Sequence, residues 1–293
     1  MNTDILRELG EWAALGFYEG ADMPWPRAYG LAMRRLYENM EVCTRLDRLL
    51  APFEPLPHSR TATEHGTWYA EALICDFDHN RGLRVNRDTA SRKKSQFPQH
   101  ANFVEMLTTD LEPRLPHFGG YTHSNPDMRR IVDVGFVAIE RELDDELAAV
   151  GDEPCSPRDL LLAVKDYAIG VRAFHSRIVE AARDSAVRAS GVAAQERSII
   201  ACAWDQGAFL KPANSFVAGL LAVNLTWMLD GCDSIGRFDQ VLGTLFERDL
   251  QCGHLDIELA RRLLDELFAN FERFNGWNMQ IGGYTATGKD GVN

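Results

Sequence analysis

The stretch KPANSFVAGLLAVNLTWMLDGCDSIGRFDQVLGTLFERDLQCGHLDIELARRLLDELFANFERFNGWNMQIGGYTATGKDGVN, Lys211 to Asn293, decides the fold. Pro212 and Asn214 introduce the apolar run Phe216 to Leu229. That run is interrupted by Asn224 and Thr226 and is shorter than the roughly 20 residues of a membrane span, so it predicts a buried core helix. Asp230-Gly231 is turn chemistry. A helix over about Phe238 to Leu250 follows and ends at Gly253. Asp256 then caps a helix in which Ile257, Ala260, Leu263, Leu264, Leu267, Phe268, Phe271 and Phe274 face one side. Gly276 ends it. Trp277 to Ile281 alternates apolar and polar residues, a strand signal, and Gly282-Gly283 after it marks a backbone that must turn sharply.

Working outward, the preceding half of the chain is a succession of long helical patterns. Asn125-Pro126-Asp127 offers a cap, a proline for the first helical position and an acid for the positive helix end. Met128, Ile131, Val132, Gly135, Phe136, Ile139, Leu143 and Leu147 then recur at three- and four-residue steps, which predicts one continuous helix with a buried stripe. Ser156-Pro157 repeats the start signal, and Leu160, Leu161, Val164, Tyr167, Ala168, Val171 and Ile178 carry a second stripe to a stop at Gly191. A helix over about Val192 to Gly207 follows. Nearer the N-terminus, helices are expected over 3–17 and 26–49, the latter opened by Pro26. Residues 51–120 are rich in Pro, His, Arg and aromatics, with weak periodicity.

The 293 residues are 45% hydrophobic, 10% aromatic and 25% charged, which are globular proportions and exclude disordered, collagen-like and small disulfide-scaffold classes. The net charge of −12 opposes a phosphate-backbone partner, and Arg92-Lys93-Lys94 is too short a basic run to reverse that. Asp4, Glu8 and Glu11 stand where a secretory signal needs positive charge. Six cysteines (Cys43, Cys75, Cys155, Cys202, Cys232, Cys252) form no CxxC pair, against both a disulfide framework and a zinc site; a reducing, cytoplasmic compartment is expected.

Several local motifs fail on inspection. Gly283 to Lys289 has phosphate-loop spacing, but Asp290 replaces the required hydroxyl and no helix follows to supply its N-terminus. Cys75, Asp76, Asp78 and His79 resemble a metal-ligand cluster without an identifiable further ligand, and such residues at the end of an element are mostly solvated. An unrelated enzyme built on residues 58–79 is the weakest reading left open. His175, beside a helical stripe, reads as a core or boundary histidine. GxSxG and HExxH are absent.

The segment from Lys211 onward resembles the pyruvate formate-lyase domain of glycyl radical enzymes. The resemblance rests on Pro212-Ala213 before the apolar helix, Ser234-Ile235-Gly236-Arg237-Phe238-Asp239-Gln240, Glu247-Arg248-Asp249-Leu250, and Gln280-Ile281-Gly282-Gly283 followed by Gly288, Asp290 and Asn293. Weaker similarity covers Arg172 to Ile178, His123 to Asp127 and Pro26 to Met40. Residues 121–293 match best and 1–120 less well, so the whole of 1–293 is expected to be the N-terminal portion of such a domain. The implied fold is α/β, predominantly helical in this segment, and an incomplete part of a ten-stranded barrel.

The resemblance implies radical cleavage of a C–C, C–O or C–N bond, by a lyase or acyltransferase of formate-lyase, dehydratase or decarboxylase type. A cysteine on one central loop becomes a thiyl and a glycine on another holds the resting radical. That glycyl radical is installed by a radical S-adenosylmethionine activating enzyme, with no cofactor or metal bound directly. Neither loop matches this chain: no cysteine has the Gly-Cys-x-Glu setting, and Arg188-Ala189-Ser190-Gly191-Val192 reads as a helix end. No catalytic residue is therefore expected here, and the chain is expected to be inactive alone, a truncation or fragment whose half-barrel would aggregate or need a partner. His123, Arg237, Asp239, Trp277 and Gln280 are the implied substrate-binding residues. An activating enzyme, a small-molecule substrate and a homodimeric partner are implied, in anaerobic metabolism. The alternative is a non-catalytic helical binding or structural protein derived from the same domain.

Overall fold

The computed structural model describes residues 1–42, 48–50, 73–78, 82–115, 125–151, 156–230, 234–273 and 276–283. At the N-terminus the expected helix over 3–17 is two helices, α1 (Thr3–Glu8) and α2 (Trp12–Glu19). Gly10 adopts φ +68° between them, and Glu11 turns fully inward. Its carboxylate accepts the amides of Ile74 at 3.0 Å and Cys75 at 3.3 Å and pairs with the Lys93 ammonium. A buried charge demands such partners, and that demand outweighs the helical periodicity. Helix α3 (Trp25–Asn39) starts beside Pro26 as expected but stops short of residue 49. There Arg177 donates to the carbonyls of Tyr37, at 2.5 Å, and Met40, occupying acceptors that the helix end leaves open.

Helix α3 lies against α2 on one side and the long α8 (Ser156–Arg188) on the other. Both crossings are made by glycine. A Cβ on Gly16 would stand 2.1 Å from the Leu31 carbonyl oxygen, and one on Gly30 2.6 Å from the Ala163 Cα. Arg27 and Arg34 of α3 both reach Asp166 of α8, at 2.9 and 3.2 Å.

The weakly periodic region contains a hairpin that periodicity missed, β1 (Cys75–Asp78) paired antiparallel with β2 (Gly82–Val85), then α4 (Arg87–Gln96) and α5 (Ala101–Leu111). Cys75 and Asp76, expected at a solvated element end, are completely buried. Asp76 accepts from Asn86 at 2.8 Å and Arg84 at 3.3 Å.

The helix expected over 128–147 breaks at Gly135, φ +78°, into α6 (Met128–Val134) and α7 (Phe136–Val150). The break is tertiary in origin. A Cβ at Gly135 would lie 2.5 Å from the Lys211 backbone, and the amides of Phe136 and Val137 turn out to the carbonyls of Phe209 and Leu210, at 2.8 and 3.1 Å. Asp127 rather than Asn125 is the cap, accepting the Arg130 amide. The stripe is also not continuously buried: Phe136, Ile139, Leu143 and Leu147 are intermediate, while Glu140 is buried toward Arg172 of α8 at 3.0 Å. On α8, Leu160 and Val164 are exposed although Val171 and Ile178 are not. Gly191, read as a stop, opens α9 (Gly191–Asp205) with φ +61°.

Helix α10 (Phe216–Leu229) is the buried core helix expected, with twelve of its fourteen residues buried. Strand β3 (Ser234–Arg237), α11 (Phe238–Gln251), α12 (Ile257–Arg273) and β4 (Asn278–Gln280) complete the described chain. Strands β3 and β4 pair in parallel, with Arg237 opposite Gln280 and a register irregularity between Ser234 and Gly236. Strand β4 is shorter than the predicted 277–281, and on α12 Ile257 and Phe268 are exposed despite their place in the stripe. Phe274 lies outside the described residues. Among the described residues no helix is long and apolar enough to cross a membrane.

Alanine for glycine inside a helix ordinarily stabilises by about 0.5–1 kcal/mol. For Gly30→Ala the expected sign is reversed, a loss of about 1–3 kcal/mol in urea unfolding, because the added methyl meets backbone that cannot retreat. His175 gives a second expectation. Burial holds its imidazole below the ordinary value, while Nε2 donates to the Ala208 carbonyl at 2.9 Å. Protonation is thus opposed in the folded state, and the stability this contributes is complete above the unfolded pKa of about 6.5 and lost as pH falls from there to the depressed folded value. Between about pH 7 and 5 the wild-type melting temperature should fall more than that of His175→Gln, read by circular dichroism.

Candidate functional site

Parallel pairing of β3 with β4 sets Arg237 beside Gln280, and the entry to α6 faces the same space. Between them opens a cleft of about 680 Å³. Its walls are Asn125 to Arg129 from the α6 entry, Ile235 to Arg237 from β3, Gln240 and Val241 from α11, and Asn278 and Gln280 from β4. Gly236 takes φ +70° at the register irregularity, a bulge that re-aims the strand before Arg237. Arg129 donates to the carbonyl of Gln240, tying α6 to α11 across the cleft.

Asp239 stands behind this wall. Its Oδ2 accepts the Gly282 amide at 2.7 Å and its Oδ1 accepts the Gln240 amide at 2.8 Å, while Gln240 Nε2 donates to the Gly282 carbonyl at 3.4 Å. Both backbone polar groups of Gly282 are thereby held, and Gly282 and Gly283, φ +84° and +98°, make the sharp turn the sequence predicted. On its other side Asp239 borders a separate apolar hollow of about 270 Å³ with Phe238, Phe268 and Ile281.

Of the five residues implied as substrate-binding, Arg237 and Gln280 border the cleft. Asp239 does not; its hydrogen bonds make it a backbone clamp. Trp277 is 61% exposed and lies off the cleft wall. His123 lies outside the described residues, two positions before Asn125 at the cleft edge. The cleft residues that sequence reading missed are Arg129, Gln240, Asn278 and, read only as a cap, Asn125. No local signal marks them, because they meet only where α6, α11 and the strand pair come together in the fold.

The other candidates sit elsewhere. His175 is the core histidine expected, 4% exposed and packed edge-on against Trp204. Burial, with Glu11 and Asp76 adding negative charge, pushes the Cys75 thiol well above its ordinary value, so it is no ready nucleophile. Cys202 and Cys252 are exposed, and Cys43, Cys155 and Cys232 lie outside the described residues. Among the described residues no three His, Cys, Asp or Glu groups are placed to hold a metal ion. His79, the Asp78 side chain and all of the phosphate-loop-like segment after Gly283 lie outside them.

For the clamp, Asp239→Ala should release the Gly282 amide while Gln240 keeps its hydrogen bond to the Gly282 carbonyl. Its hydrogen exchange is expected to accelerate strongly, with a global cost of about 1–3 kcal/mol. Unchanged protection at Gly282 would remove the clamp from the description of the site.

The family model described as pyruvate formate lyase-like matches residues 93–293. Among solved structures, that describing 1,2-propanediol dehydration in Roseburia inulinivorans superposes with a TM-score of 0.67 at 17% identity, over 97% of this chain and 41% of the other. The glycerol-bound B12-independent glycerol dehydratase of Clostridium butyricum gives 0.67 at 16% identity, over 98% and 42%. A glycyl radical enzyme of Archaeoglobus fulgidus gives 0.62 at 17% identity, over 96% and 42%. A comparison with curated proteins finds no match. The chain spans about two fifths of the length of these solved relatives, and at such identities the likeness is one of fold: a predominantly helical α/β part of the glycyl radical enzyme architecture. With more than half of its length matched by the family model, the chain belongs to the pyruvate formate lyase-like family.

Proposed function

We propose that residues 1–293 form the N-terminal portion of a glycyl radical enzyme that cleaves a C–C, C–O or C–N bond of a small molecule, as a lyase, dehydratase, decarboxylase or acyltransferase. The single observation that carries this reading is the cleft at the parallel β3–β4 pair, built from the segments by which the chain resembles the family. In this reading the cleft is one wall of the substrate cavity. Arg237 and Gln280 contact substrate, Asp239 sets the exit of β4 as a positioning residue, and His123 and Trp277 face substrate once the remaining walls are in place.

The thiyl cysteine and the glycyl loop belong to other parts of the full polypeptide, so residues 1–293 alone are inactive. The radical supplies hydrogen-atom abstraction; the residues of this segment bind the substrate, orient it and keep water out. A radical S-adenosylmethionine activating enzyme is the partner that installs the radical, and the complete enzyme is a homodimer of an anaerobic cytoplasm.

The test is electron paramagnetic resonance under strict anaerobiosis with S-adenosylmethionine and the activating enzyme. The polypeptide purified from its source should give the doublet of a glycyl radical, and residues 1–293 alone should give none. Absence of the doublet from the source polypeptide would sink the enzymatic reading and favour a non-catalytic helical protein. A doublet from residues 1–293 would overturn the assignment of the radical loop to another part of the chain.

A further inference from the structure

Among the described residues Phe209 is the one non-glycine residue with positive φ, at +72°, and it is 1% exposed. A bulky side chain makes that conformation costly, and it persists only where neighbours hold it. Here the neighbours are rings. Phe136 stacks on Phe209 with centroids 4.9 Å apart and planes at 23°, and His175 of α8 lies near-parallel to it at 6.3 Å and 25°. His175 Nε2 also donates to the carbonyl of the preceding residue, Ala208, at 2.9 Å. A carbonyl oxygen only accepts, so Nε2 carries the proton of the neutral ring and Nδ1 is the position left to titrate.

The corner over 207–211 is the hold on α6. It takes the Phe136 and Val137 amides, its Lys211 backbone meets Gly135 where no Cβ fits, and just beyond it the Ala213 amide donates to Val132 within α6. The other end of α6 carries residues 125–129 to the cleft wall. On the elements packed against His175 the charged groups are Arg172 of α8, Glu140 of α7, which pairs with Arg172 at 3.0 Å, Lys211 of the corner, and Asp205 at the end of α9, which pairs with Arg183 at 2.8 Å. Burial and the Arg172 charge both oppose a positive ring at this place. A proton on Nδ1 would set a charge among the rings of Trp204, Phe136 and Phe209, and water would become the better place for it. When the ring leaves, Ala208 loses its donor and Phe209 loses one of the two rings that hold its backbone.

We propose that His175 and the Phe209 corner form a latch that is closed near neutral pH and opens on acidification, freeing α6 and with it the cleft wall at residues 125–129. For substrate the consequence rests on the reading above, in which the cleft is a wall of the substrate cavity: affinity then falls over the same pH range.

The latch is tested by amide hydrogen exchange, read by mass spectrometry on the complete polypeptide between pH 7 and 5, each rate divided by the intrinsic rate at that pH. In the wild type, peptides carrying the Phe136 and Val137 amides should lose protection by at least about threefold, and by no more than about tenfold per pH unit because one group takes up one proton. Peptides within α5 and α12 should keep theirs. His175→Gln retains an N–H for the Ala208 carbonyl without the titration, so in that variant the loss should vanish. An even loss that includes α5 and α12 would make His175 a reporter of global stability and overturn the latch, whether or not the variant folds. So would an equal loss at 136–137 in His175→Gln, or no loss in the wild type. The exchange measurement involves neither radical nor substrate, so a missing radical doublet leaves the latch standing, and a failed latch leaves the doublet where it is.

Discussion

Helix α3 is held between α2 and α8 at distances that only glycine permits. Gly16 of α2 meets the backbone at Leu31, Gly30 of α3 meets Ala163, and Gly170 of α8 meets Arg34, each at a separation where a Cβ would collide with main chain. Close approach brings long stretches of backbone into van der Waals contact and lets Asp166 bridge two arginines of the neighbouring helix. With α8 so fixed, its other faces receive α7 and α9, and His175 reaches the carbonyl of Ala208 at the corner after α9. That corner contains Phe209, buried with φ +72°, and it takes the amides of Phe136 and Val137. The Ala213 amide donates to Val132, at 2.8 Å, so α6 is pinned from the same corner. One wall of the cleft therefore depends, through three hydrogen-bonded steps, on glycine contacts in distant helices.

Buried and half-buried carboxylates perform a second common task, that of holding backbone amides where the chain changes direction. Glu11 holds the entry to β1, Asp239 holds the exit of β4, and Asp249 accepts the Phe216 amide at 2.6 Å where α10 begins. Asp249 is also met by Arg248, which donates further to the Asn214 carbonyl at 2.7 Å. A carboxylate that accepts backbone N–H groups satisfies donors that burial would otherwise orphan, and a cation beside it offsets the cost of burying the charge. This gives a structural meaning to two of the stretches by which the chain resembles its family. Glu247 to Leu250 fixes the start of the core helix, and Arg237 to Gln240 divides its labour: Arg237 faces the cleft while Asp239 and Gln240 secure the turn behind it.

The cleft shows why a residue's presence in a motif does not settle its role. Arg237 and Asp239 are two positions apart, but β3 ends between them and α11 begins, so their side chains leave in different directions. Trp277 immediately precedes β4 and Gln280 ends it, yet of the two Gln280 lines the cleft. The apolar positions Phe268 and Ile281 are left at a hollow on the far side.

The sequence by itself determined the three helices from Phe216 to Arg273 and the strand that follows them, while β3 between the first two carried no strand signal. Caps, glycine stops and apolar periodicity act within a few residues, and that local chemistry is complete within each element. It determined the burial of α10, whose residues offer no polar face, and the sharp turn at Gly282-Gly283, which only glycine makes freely. Tertiary structure decided where the long patterns break. Gly10 and Gly135 look like ordinary helical positions until Glu11 finds the Ile74 amide and Lys211 arrives against α6. It decided that Glu140 is buried while Leu160 is not, because burial follows the neighbour that is present rather than the stripe. It alone assembled the cleft from Asn125, Arg129, Arg237 and Gln280, since their proximity is created by strand pairing and helix crossing, which leave no trace in local sequence.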